Sequence, residues 1–170
     1  MEYRPTQELL KLLEAIESRT WDGLVWRHMF ANNPPTRANE LGARWNPPGV
    51  PAIYCSLDHA TALAEGNYAV AVQSLRPTVK RTIYNLRVHL EKVLDLSSRS
   101  KLLELGIGEV ELSDVDHTGC QRIGGAVEWL EHDGLLVPSA RTSGLNLVIF
   151  TRKRGPATDF EIVGSEVLES

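Results

Sequence analysis

Apolar positions along the chain follow two different spacings. Leu9, Leu12, Leu13 and Ile16 recur at steps of three and four, the stripe of an amphipathic helix, and Thr6 stands where a capping hydroxyl belongs. That spacing predicts a helix from Thr6 to about Ser18. Gly23 breaks it, and LVWRHMF (24–30) reads as a strand. Residues 32–49 carry Pro34-Pro35 and Pro47-Pro48 and read as loop. AIYCS (52–56) is a short strand, and Ser56 or Asp58 caps a helix running through roughly Ala71.

Further on, TIYNLRVHL is rich in β-branched and apolar residues and predicts another strand. SSRSKLLELGI predicts a short helix. His117 to Glu131 predicts a longer one, with Ile123, Val127 and Leu130 on one face and a stop near Gly134. Three strand-like pieces follow: GLLVPS, NLVIF and DFEIVG. There is no internal repeat, low-complexity tract or linker. Irregular alternation of helices with short strands predicts one α+β domain over residues 1–170, with a partly antiparallel sheet.

Composition narrows the function classes. At 170 residues the chain fits one domain with its own core, and 42% hydrophobic with 24% charged residues is ordinary globular usage. Eighteen basic against 22 acidic residues, a net charge of -4, argues against direct nucleic-acid binding. Two cysteines are too few for a disulfide framework. The N-terminal stretch lacks the apolar core of a signal peptide, and no apolar run approaches a membrane span. These features predict a soluble, cytoplasmic protein.

Five polar residues sit beside the predicted strands and the helix that follows AIYCS. Arg27 lies inside LVWRHMF, an expensive place for a guanidinium unless it pairs with a core carboxylate or binds a ligand. Arg44 lies on the stiff loop GARWNPPGVP, either covering Trp45 or reaching a ligand. Tyr54 follows in AIYCS, and Glu65 lies mid-helix with no basic residue within four positions. Ser139 follows Val137-Pro138 and reads equally as a turn residue. Taken together, two arginines suit a diphosphate. Tyr54 and Trp45 offer flat faces, and one carboxylate suits a bond that breaks with build-up of positive charge. A nicotinamide dinucleotide has all three features. Cys55 with His59, and His117 with Cys120, are single pairs, short of a zinc ligand set.

The block GARWNPPGVPAIYCSLDHATALAE, the segment YNLRVHLEKVLDLSS and the block TGCQRIGGAVEWLEHDGLLVPSARTSGLNLVIF occur in the order seen in the RES-domain family, which this chain resembles over about residues 24–150. The helix at about 6–18 lies outside that stretch. The resemblance implies a fold similar to that of ADP-ribosyltransferases, with two small sheets, flanking helices and a cleft for NAD. It implies a toxin of a toxin–antitoxin pair that cleaves the nicotinamide–ribose bond by hydrolysis or phosphorolysis, or that transfers ADP-ribose to a target; a catalytically silent module is the remaining alternative. Glu65, Arg27 and Ser139 are then the catalytic candidates. Arg44, Trp45, Asn46 and Tyr54 are the substrate-binding candidates. NAD enters as substrate, with no cofactor and no metal, because nicotinamide departs as a neutral ring. His28 departs from what many members carry beside the first arginine. The implied partner is a helical, Xre-like DNA-binding antitoxin, and the implied assembly is a homodimer or a toxin–antitoxin hetero-oligomer.

Overall fold

The computed structural model describes residues 3–73, 79–152 and 160–168. Helix α1 (Gln7–Glu14) buries Leu9, Leu10 and Leu13, and the Thr6 hydroxyl accepts from the Leu9 amide. It ends earlier than its periodicity suggests. The next strand, β1 (Ser18–Phe30), begins well before LVWRHMF because residues 18–23 pair with β3 (Arg81–Asp95). Strand β2 (Ala52–Ser56) leads into α2 (His59–Val72), capped by the Asp58 carboxylate on the Thr61 amide. Two short helices, α3 (Arg99–Glu104) and α4 (Glu109–Ser113), precede α5 (Thr118–Trp129). Strands β4 (Gly134–Pro138), β5 (Leu145–Phe150) and β6 (Phe160–Leu168) complete the described chain.

Among the described residues the strands form one six-stranded sheet, ordered β1-β2-β5-β4-β3-β6, with β1 also paired to β3. That extra pairing closes five strands into a ring. The α+β single domain of the sequence reading is present. Its two small sheets are joined into one, because β1 and β3 are 13 and 15 residues long and run through both halves. One edge of β3 serves β1. Its other edge serves β6 along Arg81–Val88 and β4, in parallel, along Val93–Asp95.

Burial follows from this closure. Every residue of β4 is buried, and β5 is buried from Asn146 onward, so neither strand alternates with polar positions. Leu136, Leu147 and Ile149 join Val25, Ile53, Leu86 and Val88 inside the ring. Their neighbours Leu135, Val137, Val148 and Phe150 face outward onto α1 and α5, with Leu13, Ile123, Val127 and Trp45. Each such side chain contributes about 1.5–3 kcal/mol when fully buried.

Helix α5 meets the proline-rich loop backbone to backbone. A Cβ on Gly124 would stand 1.6 Å from the Trp45 carbonyl oxygen, and Gln121 donates to the Ala43 carbonyl at 2.9 Å. Gly124→Ala forces the helix and loop apart. It is expected to lower stability by on the order of 3 kcal/mol in urea unfolding.

Candidate active site

Strands β1 and β2 pair at a single position, Trp26 opposite Ser56. Around that point they part, and α2 passes alongside. A cleft of about 280 Å³ opens there, lined by Trp26, Arg27, His28 and Phe30 of β1, Asn39 of the loop, Tyr54, Cys55 and Ser56 of β2, Ala62, Glu65, Gly66 and Ala69 of α2, and Asn146 of β5.

Arg27, Tyr54 and Glu65 are therefore brought together. Among the described residues Arg27 has no carboxylate partner. Its Nη1 and Nη2 donate to the carbonyls of Pro35 and Arg37, both at 2.7 Å. A guanidinium carries five N–H donors, so this pairing leaves donors for a ligand. Burial pulls its pKa below the usual arginine value, against an opposing influence from Cys55. The Tyr54 hydroxyl donates to Asn46 Oδ1 at 2.5 Å and accepts from the Trp45 amide at 2.9 Å. Burial also pushes that phenol well above its ordinary pKa. The hydroxyl is thus committed to the loop, and what Tyr54 offers the cleft is its ring.

Glu65 is held from two sides. Its Oε2 accepts from Asn146 Nδ2 at 2.8 Å, and its Oε1 lies 3.8 Å from Arg141 Nε. Asn146 is fixed in turn by Ser56, which stands directly opposite it on β2 and donates to Asn146 Oδ1 at 2.8 Å. This Ser56–Asn146–Glu65 chain fixes the amide orientation and aims one carboxylate into the cleft. Asn146 and Arg141 escaped the sequence reading. The one signal for Asn146 was a lone polar residue at the head of the apolar run LNLVIF.

The other candidates lie elsewhere. Arg44, Trp45, Asn46 and Ser139 are not among the residues lining the cleft. Arg44 Nη1 donates to the Asp114 carbonyl at 3.0 Å, toward α4 and α5. Trp45 is 2% exposed and packs in the outer core, so its ring has no face for a ligand. Asn46 is fully buried; its Nδ2 donates to Asn39 and, at 2.8 Å, to the Val50 carbonyl, which pins the loop to itself. Ser139 takes the turn reading: its hydroxyl accepts the amides of Arg141 at 3.0 Å and Thr142 at 3.3 Å.

Thiol chemistry finds no support. Burial pushes the Cys55 thiol up to about 11 despite nearby Arg27, and His59 instead contacts Glu166 at 2.8 Å. Cys120 is likewise pushed up to about 11 by burial. Among the described residues no group of three or more His, Cys, Asp or Glu side chains is placed to hold a metal ion. No described helix is long and apolar enough to cross a membrane. Arg152 donates to the Gly49 carbonyl and pairs with Glu128; Lys153 and Arg154, the rest of that basic run, lie outside the described residues.

A family model for the RES domain matches residues 13–167. The chain belongs to the RES domain family. Proteins named NAD(+) phosphorylase MbcT, from Mycobacterium bovis and Mycobacterium tuberculosis, are 27% identical to it over 156 residues, covering 87% of this chain and 84% of theirs. A crystal structure of the M. tuberculosis MbcT–MbcA toxin–antitoxin complex contains a chain that superimposes with a TM-score of 0.85 at 25% identity, covering 96% of this chain and 93% of that one. The α+β architecture is thus that of a RES toxin, consistent with the expected ADP-ribosyltransferase-like fold.

His28 gives this RES domain a pH-sensitive wall. Its ring packs edge-on against Phe30, 4.9 Å between centres, and Arg81 Nη1 lies 3.4 Å from its Nε2. A Cβ on Gly66 would stand 2.2 Å from the His28 ring. Burial first, and Arg81 second, lower its pKa to about 4. An unfolded histidine titrates near 6.5. Between these values the unfolded chain takes up a proton that the folded one refuses. Stability from this group is complete above about pH 6.5 and falls as the pH drops toward about 4. Urea unfolding of His28→Asn is expected to show a flatter pH dependence over that range than the parent protein.

Proposed function

We propose that this protein is a RES-type toxin that cleaves the nicotinamide–ribose bond of NAD and passes the ADP-ribosyl group to inorganic phosphate. The observation that carries the reading is the Glu65 carboxylate, oriented by Asn146 in a cleft that also holds Arg27 and Tyr54. The MbcT relatives, named as NAD(+) phosphorylases, favour phosphate over water as acceptor.

The chemistry follows from the arrangement. Arg27 donates its remaining N–H groups to the diphosphate of NAD. The Tyr54 ring packs against the nicotinamide end. As the bond between C1″ and the nicotinamide nitrogen breaks, its electron pair goes to the pyridinium ring, which leaves neutral. Positive charge develops on C1″ and the ribose ring oxygen, and Glu65 stabilises it electrostatically. A phosphate oxygen then bonds to C1″, giving ADP-ribose 1″-phosphate. Water in its place gives ADP-ribose and releases one proton. No step needs a cofactor or metal.

The biological reading is NAD depletion and growth arrest in the cytoplasm, held in check by a helical, Xre-like DNA-binding antitoxin. The MbcT–MbcA structure, a toxin–antitoxin complex, supports such a partner. The assembly is then a homodimer or a toxin–antitoxin hetero-oligomer, without direct nucleic-acid contact by this chain. As functional positions we retain Glu65, Arg27 and Tyr54 at the substrate. Arg44, Trp45, Asn46 and Ser139 support the walls that present them.

The test is NAD consumption by purified protein with and without phosphate. Loss that depends on phosphate and yields a phosphorylated ADP-ribose supports the proposal. Free ADP-ribose moves the acceptor to water, and label on a protein or another metabolite moves it there. Intact NAD under all conditions sinks the reading. Glu65→Gln keeps the shape and loses the charge, so turnover is expected to fall by roughly 100–1,000-fold. Arg44→Ala is expected to leave turnover within about threefold, because its side chain lies outside the cleft.

A further inference from the structure

The turn between β4 and β5 lies along α2 and touches it repeatedly. Near the helix start, the Thr142 and Thr61 hydroxyls share a hydrogen bond at 2.7 Å. A Cβ on Gly144 would stand 2.2 Å from Thr61 Oγ1, so the backbone there lies directly on the helix. Farther along, the Arg141 guanidinium carbon sits 3.8 Å from the centre of the Tyr68 ring, and Arg141 Nε sits 3.8 Å from Glu65 Oε1. Glu65 and Tyr68 are three residues apart, hence on one face of α2, and one arginine reaches both.

The contact with Glu65 is too long for a hydrogen bond. Arg141 Nη2 is buried and has no hydrogen-bond partner among the described residues. Arg141 is therefore not fixed by a fork of donors on the carboxylate. Two other things fix it: the Tyr68 face, which attracts a cation, and the turn built on Ser139, whose buried hydroxyl takes the Arg141 and Thr142 amides. Its effect on Glu65 is electrostatic. It places positive charge beside Oε1 while Asn146 holds Oε2.

We propose that Arg141 is a positioning residue for Glu65, and that Ser139 acts on the reaction through Arg141. The inference rests on the reading of Glu65 as the carboxylate that faces the substrate ribose. It gives the buried serine a role without substrate contact. Ser139 shapes the turn, the turn sets Arg141 on Tyr68, and Arg141 and Asn146 together leave the carboxylate one orientation.

The test is a double-mutant cycle on NAD turnover with Ser139→Ala, Arg141→Ala and the pair, alongside Arg141→Lys. A carboxylate displaced by about 1 Å costs on the order of 100-fold in rate. Arg141→Ala is expected to lower kcat about 10–100-fold with the KM for NAD within about threefold, and the pair to be no worse than Arg141→Ala by more than about twofold. Arg141→Lys keeps the charge but not the planar group that lies on Tyr68, and is expected to recover only part of the rate. Losses that multiply in the pair overturn the proposal, since Ser139 then acts independently; so does a KM rise with kcat unchanged. Wild-type turnover of NAD tests the functional reading by itself. The same four proteins unfolded in urea read the Ser139–Arg141 coupling without turnover: a stability loss in the pair smaller than the sum of the singles is expected, and an additive loss overturns the proposal.

Discussion

Two strands that meet once and then part create the working space of this molecule. Backbone amides and carbonyls that leave a ladder must find other partners or stay wet. β2 makes a full ladder with β5 on one side; on the other it meets β1 only at Trp26–Ser56 and bridges the loop at Ala52–Asn39. Arg27 reaches out of β1 beside the gap and takes up the carbonyls of Pro35 and Arg37 in the same loop. The same guanidinium thus holds the loop at the edge of the gap and charges the cleft. Closure of the ring through β1 and β3 ties both strands that flank the cleft into one sheet.

The proline-rich loop that follows β1 makes no direct contribution to the cleft surface beyond Asn39. Its stiffness is turned inward. Gly42 adopts a left-handed φ of +102° against the Pro48 ring, and Asn46 binds Val50 within the loop. The Trp45 carbonyl rests on Gly124 of α5, while the Trp45 amide and Asn46 Oδ1 hold the Tyr54 hydroxyl. The large residues of the loop are thus fastening points. They tie β2, and with it the Tyr54 ring, to the helical layer beneath.

Much of this was legible from the chain, for identifiable reasons. AIYCS reads as a strand and is one, residue for residue, because short buried runs between turn signals have few alternatives. α2 and α5 carry their caps or stripes in plain view. The segment SRTWDG lacks alternation and contains a glycine, yet it is strand because long-range pairing with β3 overrides local preference. Helix α4, five residues with a glycine cap, has too little periodicity to detect. At the cleft, Arg27, Tyr54 and Glu65 stood out because each breaks the pattern of its own element. Arg44, Trp45 and Asn46 shared the loop's rigidity, but rigidity says nothing about which way a side chain turns. Asn146 and Arg141 matter through partners about 80 positions away, Glu65 above all, and no local spacing encodes such a pairing.

The close approach of His28 to Gly66 also bears on the angular setting of α2. Successive residues on an α-helix are about 100° apart, so the roll of the cylinder about its axis decides where the Glu65 carboxylate points. The bare backbone at Gly66 is a notch, and the imidazole, backed by Phe30 and Arg81, is the tooth that fills it. The carboxylate's compass bearing is in this way written into the residue that follows it, which has no side chain at all.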